Sequence, residues 1–426
     1  MRPYRLERGH CLDLLKTLPD ESVDSVVTDP PYELGFMGKG WDSSGIAYNV
    51  EVWRESLRVL KPGGHLLAFS GTRTYHRMAC AIEDAGFEIR DQIGWLYGSG
   101  FPKSRNIAEQ DMSGEDSAQW AGWGTALKPA QEPICVARKP LDGTVAGNVL
   151  EHGTGALNID ACRVPAEAMR PNTGSGGLPR RHEDECRGRG TVTQPHSLGR
   201  WPANIIHDGS EEVLEAFAQY GERGASAPVK GTEASAASTG LITGERARVA
   251  GAFHGDTGTA ARFFYSAKAS RADRNEGCDG IQDREGGMNS NTSGQHITRR
   301  DGWKPAPVKN NHPTVKPTSL MRYLCRLVTP PGGTVLDIFT GSGSTGKAAV
   351  LEGFEFIGFD LDSDDQGRPL GYLDIARARI EYAYLQRSLL DAEGQPQPQL
   401  DLFSNEYQKD GPASVAADPG RFIEIS

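Results

Sequence analysis

Apolar positions in the first hundred residues switch repeatedly between two periods. Ser25-Val26-Val27-Thr28 is a short β-branched run that must stop at Asp29-Pro30-Pro31-Tyr32, because paired prolines end strand and helix alike. Val52, Trp53, Ser56, Leu57, Val59 and Leu60 recur at helical spacing over about 48–60, and Pro62-Gly63-Gly64 closes that helix before 65–69 reads as a buried strand. A second helix over about 72–85 ends at Gly86, and strand returns over 87–96. This βαβαβ alternation predicts an α/β sheet.

From about 100 to 308 the alternation fails. Stretches 171–178, 224–239 and 286–294 are rich in Gly, Ser and Thr, and only the islands 201–206, 211–219 and 262–269 read as ordered. Alternation resumes with helix over 317–329, strand over 334–339, helix over 344–352, strand over 354–359 and helix over 373–387. The expectation is a sheet assembled from both ends of the chain, 1–100 and 308–386, around an irregular insert at 101–307. An acidic, flexible tail at 387–426 completes it.

Composition narrows the function. A chain of 426 residues suits two to three domains, and no apolar run approaches the roughly 18 residues of a membrane span. Polar sequence follows Met1 directly, so a cytoplasmic protein is expected. Its seven scattered cysteines suit reduced thiols. The net charge of −10 argues against a nucleic-acid partner until it is divided: residues 350–426 hold 15 Asp and Glu against 6 Lys and Arg, so the body is nearly neutral. Within it, 262–316 carries ten Lys and Arg against six Asp and Glu, an excess that suits phosphate contacts or a solvated surface.

The candidate chemistry sits at strand ends. In Val335-Leu336-Asp337-Ile338-Phe339-Thr340-Gly341-Ser342-Gly343-Ser344 a strand enters a glycine turn before a helix. Without side chains at 341 and 343 a ligand can lie against the backbone, and the helix N-terminus offers N–H groups to a carboxylate. The next strand ends at Asp360, placed to accept hydrogen bonds from a ribose diol. Gly341 to Lys347 also fits most of a phosphate-binding G-x-x-x-x-G-K loop, but Ala348 stands where magnesium needs a hydroxyl. At Asp29-Pro30-Pro31-Tyr32 a rigid proline pair would hold a carboxylate and a carbonyl as two acceptors beside an aromatic face. That set suits the amino group of a flat base, with Tyr32 stacking on the ring.

Together with His312-Pro313-Thr314-Val315-Lys316-Pro317, these segments resemble the S-adenosylmethionine-dependent amino methyltransferases of DNA. The D-P-P-Y precedes the cofactor glycines with a long insert between, which resembles the permuted β group and argues against RNA and protein methyltransferases bearing an N/D-P-P-Y. The resemblance implies a Rossmann-like methyltransferase sheet, S-adenosylmethionine as cofactor, double-stranded DNA as partner, and 101–307 as the target-recognition domain. It assigns Asp29, Pro30, Pro31 and Tyr32 to the flipped base. Asp337, Phe339, Gly341 and Gly343 go to the cofactor pocket, His312 and Lys316 to the methionine carboxylate, and Asp360 to the ribose, with Asp362 as the alternative acid. His10 stands where the family often carries an Asp against the adenine. Because in this family an Asp at the place of Asp29 is commoner for adenine and a Ser for cytosine, the resemblance implies adenine N6 over cytosine N4. A non-catalytic DNA-binding protein with this fold is the alternative of another class.

The insert is less legible. Arg-rich segments at 180–189 and 262–274 suit phosphates, while Trp201, Phe263, Phe264 and Tyr265 read as wedges or, more simply, as core. Cys162, His182, Cys186 and His196 lack the paired spacing of a zinc site, and no metal is required by the chemistry. In the tail, Gln399-Leu400-Asp401-Leu402-Phe403 resembles the Q-L-[SD]-L-F signature with which bacterial proteins bind the sliding clamp; folding back onto the core is the other reading.

Overall fold

Nine strands join into one sheet in the computed structural model, which describes residues 3–35, 40–98, 100, 104–109, 114–166, 199–222, 257–267, 271–284, 307–364 and 366–392. In chain order they are β1 Tyr4–Arg8, β2 Val23–Thr28, β3 Leu60–Phe69, β4 Glu88–Leu96, β5 Gln131–Arg138, β6 Ile205–His207, β7 Tyr265–Ser266, β8 Thr334–Asp337 and β9 Glu355–Asp360. Across the sheet the order is β1-β9-β8-β2-β3-β5-β4-β6-β7, with β5 antiparallel to both neighbours and every other pairing parallel. The sheet is assembled from both ends of the chain, as its alternation predicts.

All six residues of β2 are buried, as befits a central parallel strand covered on both faces. Its alternate side chains enter two different cores. Val27 joins the core built with helices Thr318–Val328, Ser344–Glu352 and Tyr372–Ala392; Val26 joins the core built with Cys11–Leu15, Val50–Val59 and Tyr75–Asp84. Each half of the chain therefore supplies the helices of one face, and neither half can bury its own strands alone.

The halves meet twice, at β1 with β9 over five residue pairs and at β2 with β8, where the ladder is short: Ser25 pairs with Val335 and Val26 with Leu336. Side chains close the seam. Asp24 accepts the Thr334 N–H at 2.7 Å and the Lys61 ammonium at 2.6 Å, the hydroxyls of Ser25 and Thr329 lie 2.8 Å apart, and the Thr28 hydroxyl donates to Asp337 at 2.7 Å.

Two readings of the insert change. β5 lies inside 101–307 yet runs between β3 and β4, and β6 and β7 extend the same sheet, so the insert is woven into the core. The apolar run Ile134-Cys135-Val136-Ala137 is its buried centre, masked in the sequence by the irregular composition on either side. Among the aromatics, Tyr265 is buried and stacks on Tyr323 at 4.2 Å, as a core residue would. Trp201 and Phe263 are exposed instead, beside the guanidinium groups of Arg163 and of Arg200 and Arg262. Arg180–189, His182, Cys186, His196 and the tail segment Gln399 to Phe403 lie outside the described residues.

The short helix Arg271–Asn275 fastens the end of the insert to the core. Asp273 accepts the N–H and the hydroxyl of Thr318, and the buried Lys347 ammonium bridges Asp273 at 3.0 Å and Glu276 at 2.7 Å. Lys347 is thus committed to ion pairs away from the glycine turn, which removes the lysine that a phosphate-binding loop needs. Lys347→Met leaves two carboxylates without their cation and should lower unfolding stability by about 2 kcal/mol, below the full buried-pair value because Glu276 is partly exposed. Urea unfolding measures this, and a change within experimental error would show that the bridge holds nothing.

Candidate active site

Crossovers leave β2 and β8 in opposite directions, β2 toward β3 and β8 toward β9, so the sheet opens between them at its carboxyl edge. Such switch points are where open α/β sheets bind ligands. Here a cleft of about 1300 Å³ is lined on one side by Asp29, Pro30, Pro31 and Tyr32 and on the other by Asp337, Phe339, Gly341 and Asp360. The structure thus gathers almost every residue singled out by sequence around one cavity, including His312 and Lys316.

The glycine side is shaped by the turn after β8. Gly341 adopts φ 50° and lies beneath the His312 ring, where a side chain would place its first carbon 2.7 Å from His312 Nε2. Asp360 holds that turn: one carboxylate oxygen accepts the Gly341 N–H and the other the Asp362 N–H, each at 2.7 Å. Asp362 is fully enclosed, accepting from Arg8 and from the Tyr372 N–H at 2.6 Å each, which leaves Asp360 as the partly exposed acid. His312 packs edge-on to Tyr372, and burial, reinforced by the positive charges of Lys316, Arg274 and Arg379, pushes its pKa down to about 3. It is a neutral imidazole at physiological pH.

Gly343 serves a different neighbour from the one expected. It has φ 78° and begins helix Ser344–Glu352, but a side chain there would meet Ala376 of the last helix at 2.8 Å. The glycine is required by helix packing, and its missing side chain does not open the cleft. Arg379, fully buried on that same last helix, fixes the arrangement by donating to the Ser342 carbonyl at 2.6 Å and to the hydroxyls of Ser342 and Ser344.

The proline side is a closed hydrogen-bonded group. The Tyr32 hydroxyl donates to Glu132 at 2.8 Å and lies 3.0 Å from Asp29 Oδ1. Lys316, buried over the rings of Phe69 and Tyr32, brings its ammonium to 2.6 Å from Asp29 Oδ2, 3.1 Å from the Tyr32 hydroxyl and 3.3 Å from Glu132. Burial and the two carboxylates raise the Tyr32 phenol well above its usual range. Burial alone would lower the Lys316 pKa, but Asp29 and Glu132 outweigh it and raise the value. Glu132 was not legible as a site residue. It belongs to β5, 100 positions from Tyr32, and its one sequence signal is a charge at the mouth of an apolar strand.

These features, a doubly covered sheet with an acceptor-rich strand end facing a glycine turn, place the chain in the class of open α/β folds with a cleft at the switch point. The family model described as DNA methylase, of the N6/N4 type, matches residues 23–365, and the chain belongs to that family. It is 28% identical to the type II methyltransferase M.HindIII of Haemophilus influenzae over 179 residues, which are 40% of this chain and 58% of that protein. It is 41% identical to the DNA adenine methyltransferase YhdJ of Escherichia coli over 66 residues, 16% of this chain and 22% of that protein. The matched stretches therefore span less than two thirds of these relatives. Among solved structures, the PvuII DNA methyltransferase (cytosine-N4-specific) aligns over 90% of this chain and 92% of its own with 15% identity and a TM-score of 0.43. M1.HpyAVI aligns over 88% and 98% with 13% identity and a TM-score of 0.37. None of these supports the sliding-clamp contact. No helix among the described residues is long and apolar enough to cross a membrane.

Asp337 supplies a pH test. Burial raises its carboxyl from 3.8 to about 6, against hydrogen bonds from Thr28, Thr345 and the Phe339 N–H. Between those values the folded protein holds a proton that the unfolded chain has released, so this group's contribution to stability falls as pH rises. His312 acts in the opposite sense, losing stability as pH falls from 6.5 toward 3. The difference in unfolding free energy between wild type and Asp337→Asn isolates the carboxyl: it should shift against wild type by about 2 kcal/mol from pH 4 to pH 6.5. A flat difference would contradict the raised value.

Proposed function

We propose that this protein transfers a methyl group from S-adenosylmethionine to the exocyclic amino group of a base in double-stranded DNA, with adenine N6 as the target. The observation that carries the reading is the single cleft that joins Asp29–Tyr32 to the Gly341 turn and Asp360 across the β2–β8 opening. The residues suit that cofactor: a partly exposed acid for a diol, a positive-φ glycine for close approach, and a helix N-terminus for a carboxylate. When bound, it supplies an electrophilic methyl on a sulfonium, so the amine needs alignment and acceptors but no metal. Asp29 and the Pro30 carbonyl would accept the two amino hydrogens, directing the nitrogen lone pair across the cleft, while Tyr32 supports the ring.

The choice of adenine rests on Asp at position 29 and on kinship with YhdJ, whose name specifies adenine. PvuII methyltransferase, which is cytosine-N4-specific, marks the alternative. Target recognition falls to the parts of the insert outside β5. An exchange of specificity segments that keeps Gln131–Arg138 should change the methylated sequence, whereas replacing 101–307 entire removes a strand of the sheet.

Two measurements test the reading. Sequencing that reports modified bases, on DNA from cells expressing the protein, should show N6-methyladenine in one sequence context; N4-methylcytosine would reassign the base, and unmodified DNA would overturn the function. Asp29→Ala should lower the methylation rate by at least about 10²-fold, the scale of one key transition-state hydrogen bond, while S-adenosylmethionine still binds. Near-normal activity would remove Asp29 from the site.

A further inference from the structure

Resemblance to the family places Lys316 on the cofactor's carboxylate, but its surroundings point elsewhere. An ammonium has three N–H donors. Here three oxygens surround it: Asp29 Oδ2 at 2.6 Å, the Tyr32 hydroxyl at 3.1 Å and Glu132 Oε2 at 3.3 Å. Its stem is held over the Phe69 and Tyr32 rings, and only 7% of the side chain is exposed. No donor is left to reach across the cleft toward the Gly341 turn.

We infer that Lys316 and Glu132 are positioning residues on the base side of the site, holding Asp29 and Tyr32 in the geometry that receives the amino group. This rests on the function proposed above. The charge arrangement gives it content. Two carboxylates, Asp29 and Glu132, share one ammonium, so the group carries one excess negative charge beside the nitrogen that becomes positive as it takes the methyl. Lys316 engages Asp29 Oδ2 and leaves Oδ1 on the Tyr32 side. Glu132 holds the Tyr32 hydroxyl and shares the ammonium, so that Asp29 is not neutralised by a private ion pair. Tyr97, with its phenol pushed up to about 12 by burial and by Glu132, lines the same cleft. Because Glu132 stands on β5, the insert contributes directly to the chemical centre.

The charge count yields a distinctive expectation. Lys316→Met leaves Asp29 and Glu132 uncompensated, whereas Lys316→Met/Glu132→Gln restores the original excess of one negative charge. With purified full-length protein, kcat is read by methyl incorporation into DNA from methylation-deficient cells, and cofactor affinity by calorimetry with S-adenosylmethionine. Lys316→Met should lower kcat by about 10²-fold at saturating cofactor. Its cofactor Kd should stay within about threefold of wild type, and adding Glu132→Gln should restore kcat by about tenfold, as expected for directly coupled residues. Should Lys316→Met fail to fold, the double variant and Glu132→Gln alone carry the test: Glu132→Gln should lower kcat by about tenfold without weakening the cofactor. A Lys316→Met enzyme that loses cofactor affinity and keeps kcat, or a Glu132→Gln enzyme with wild-type kcat, overturns this inference alone. A wild-type protein that binds S-adenosylmethionine and methylates no DNA overturns the functional reading with it.

Discussion

The junction of β2 with β8 is the constraint on which the rest of the molecule depends. Two parallel strands from opposite ends of the chain meet there with little backbone ladder, and a series of buried side-chain hydrogen bonds completes the joint. Each buried polar group in that series would cost free energy if its partner moved, which makes the seam intolerant of slippage. Intolerance is useful at this position. The acceptor loop after β2 and the glycine turn after β8 keep their separation only if the strands beneath them keep their register, and the methyl transfer proposed above would be sensitive to displacements of an ångström.

The seam also links the two walls of the cleft. Thr28, the residue before Asp29, donates to Asp337, the residue that opens the glycine turn through its bond to the Phe339 N–H. Above them the charges separate by role: Asp360 and Asp362 organise backbone N–H groups on one wall, while Asp29 and Glu132 share Lys316 on the other. The acids on the first wall build a shape, and those on the second build a field.

Much of this was legible in the sequence because it depends on local rules. Pro30 and Pro31 end a strand wherever they occur, and helix Ser344–Glu352 was bounded by glycines at both ends. The two halves of the sheet and the residues around its cleft follow from such signals. Glu132, Arg379 and β5 did not, since each owes its position to contacts far away in the chain. β5 lies in a composition that reads as loop, Glu132 gains meaning only beside Tyr32 and Lys316, and Arg379 resembles any helical arginine until the fold buries it against Ser342. Gly343 shows the converse: its place in the glycine turn was legible, but Ala376, the neighbour that forbids a side chain, was not.

At the edge of the sheet, β1 lies along β9, and the Tyr4 hydroxyl donates to Glu381 of the last helix at 2.8 Å. The first strand and the final helix of the described fold are thus side by side, although 377 positions separate the bonded residues. A chain joined there and opened within the insert would present the same strands to the same neighbours. The order in which the acceptor loop and the glycine turn occur along the polypeptide is therefore set by where the chain is cut, while the chemistry is set by a sheet that is indifferent to the cut.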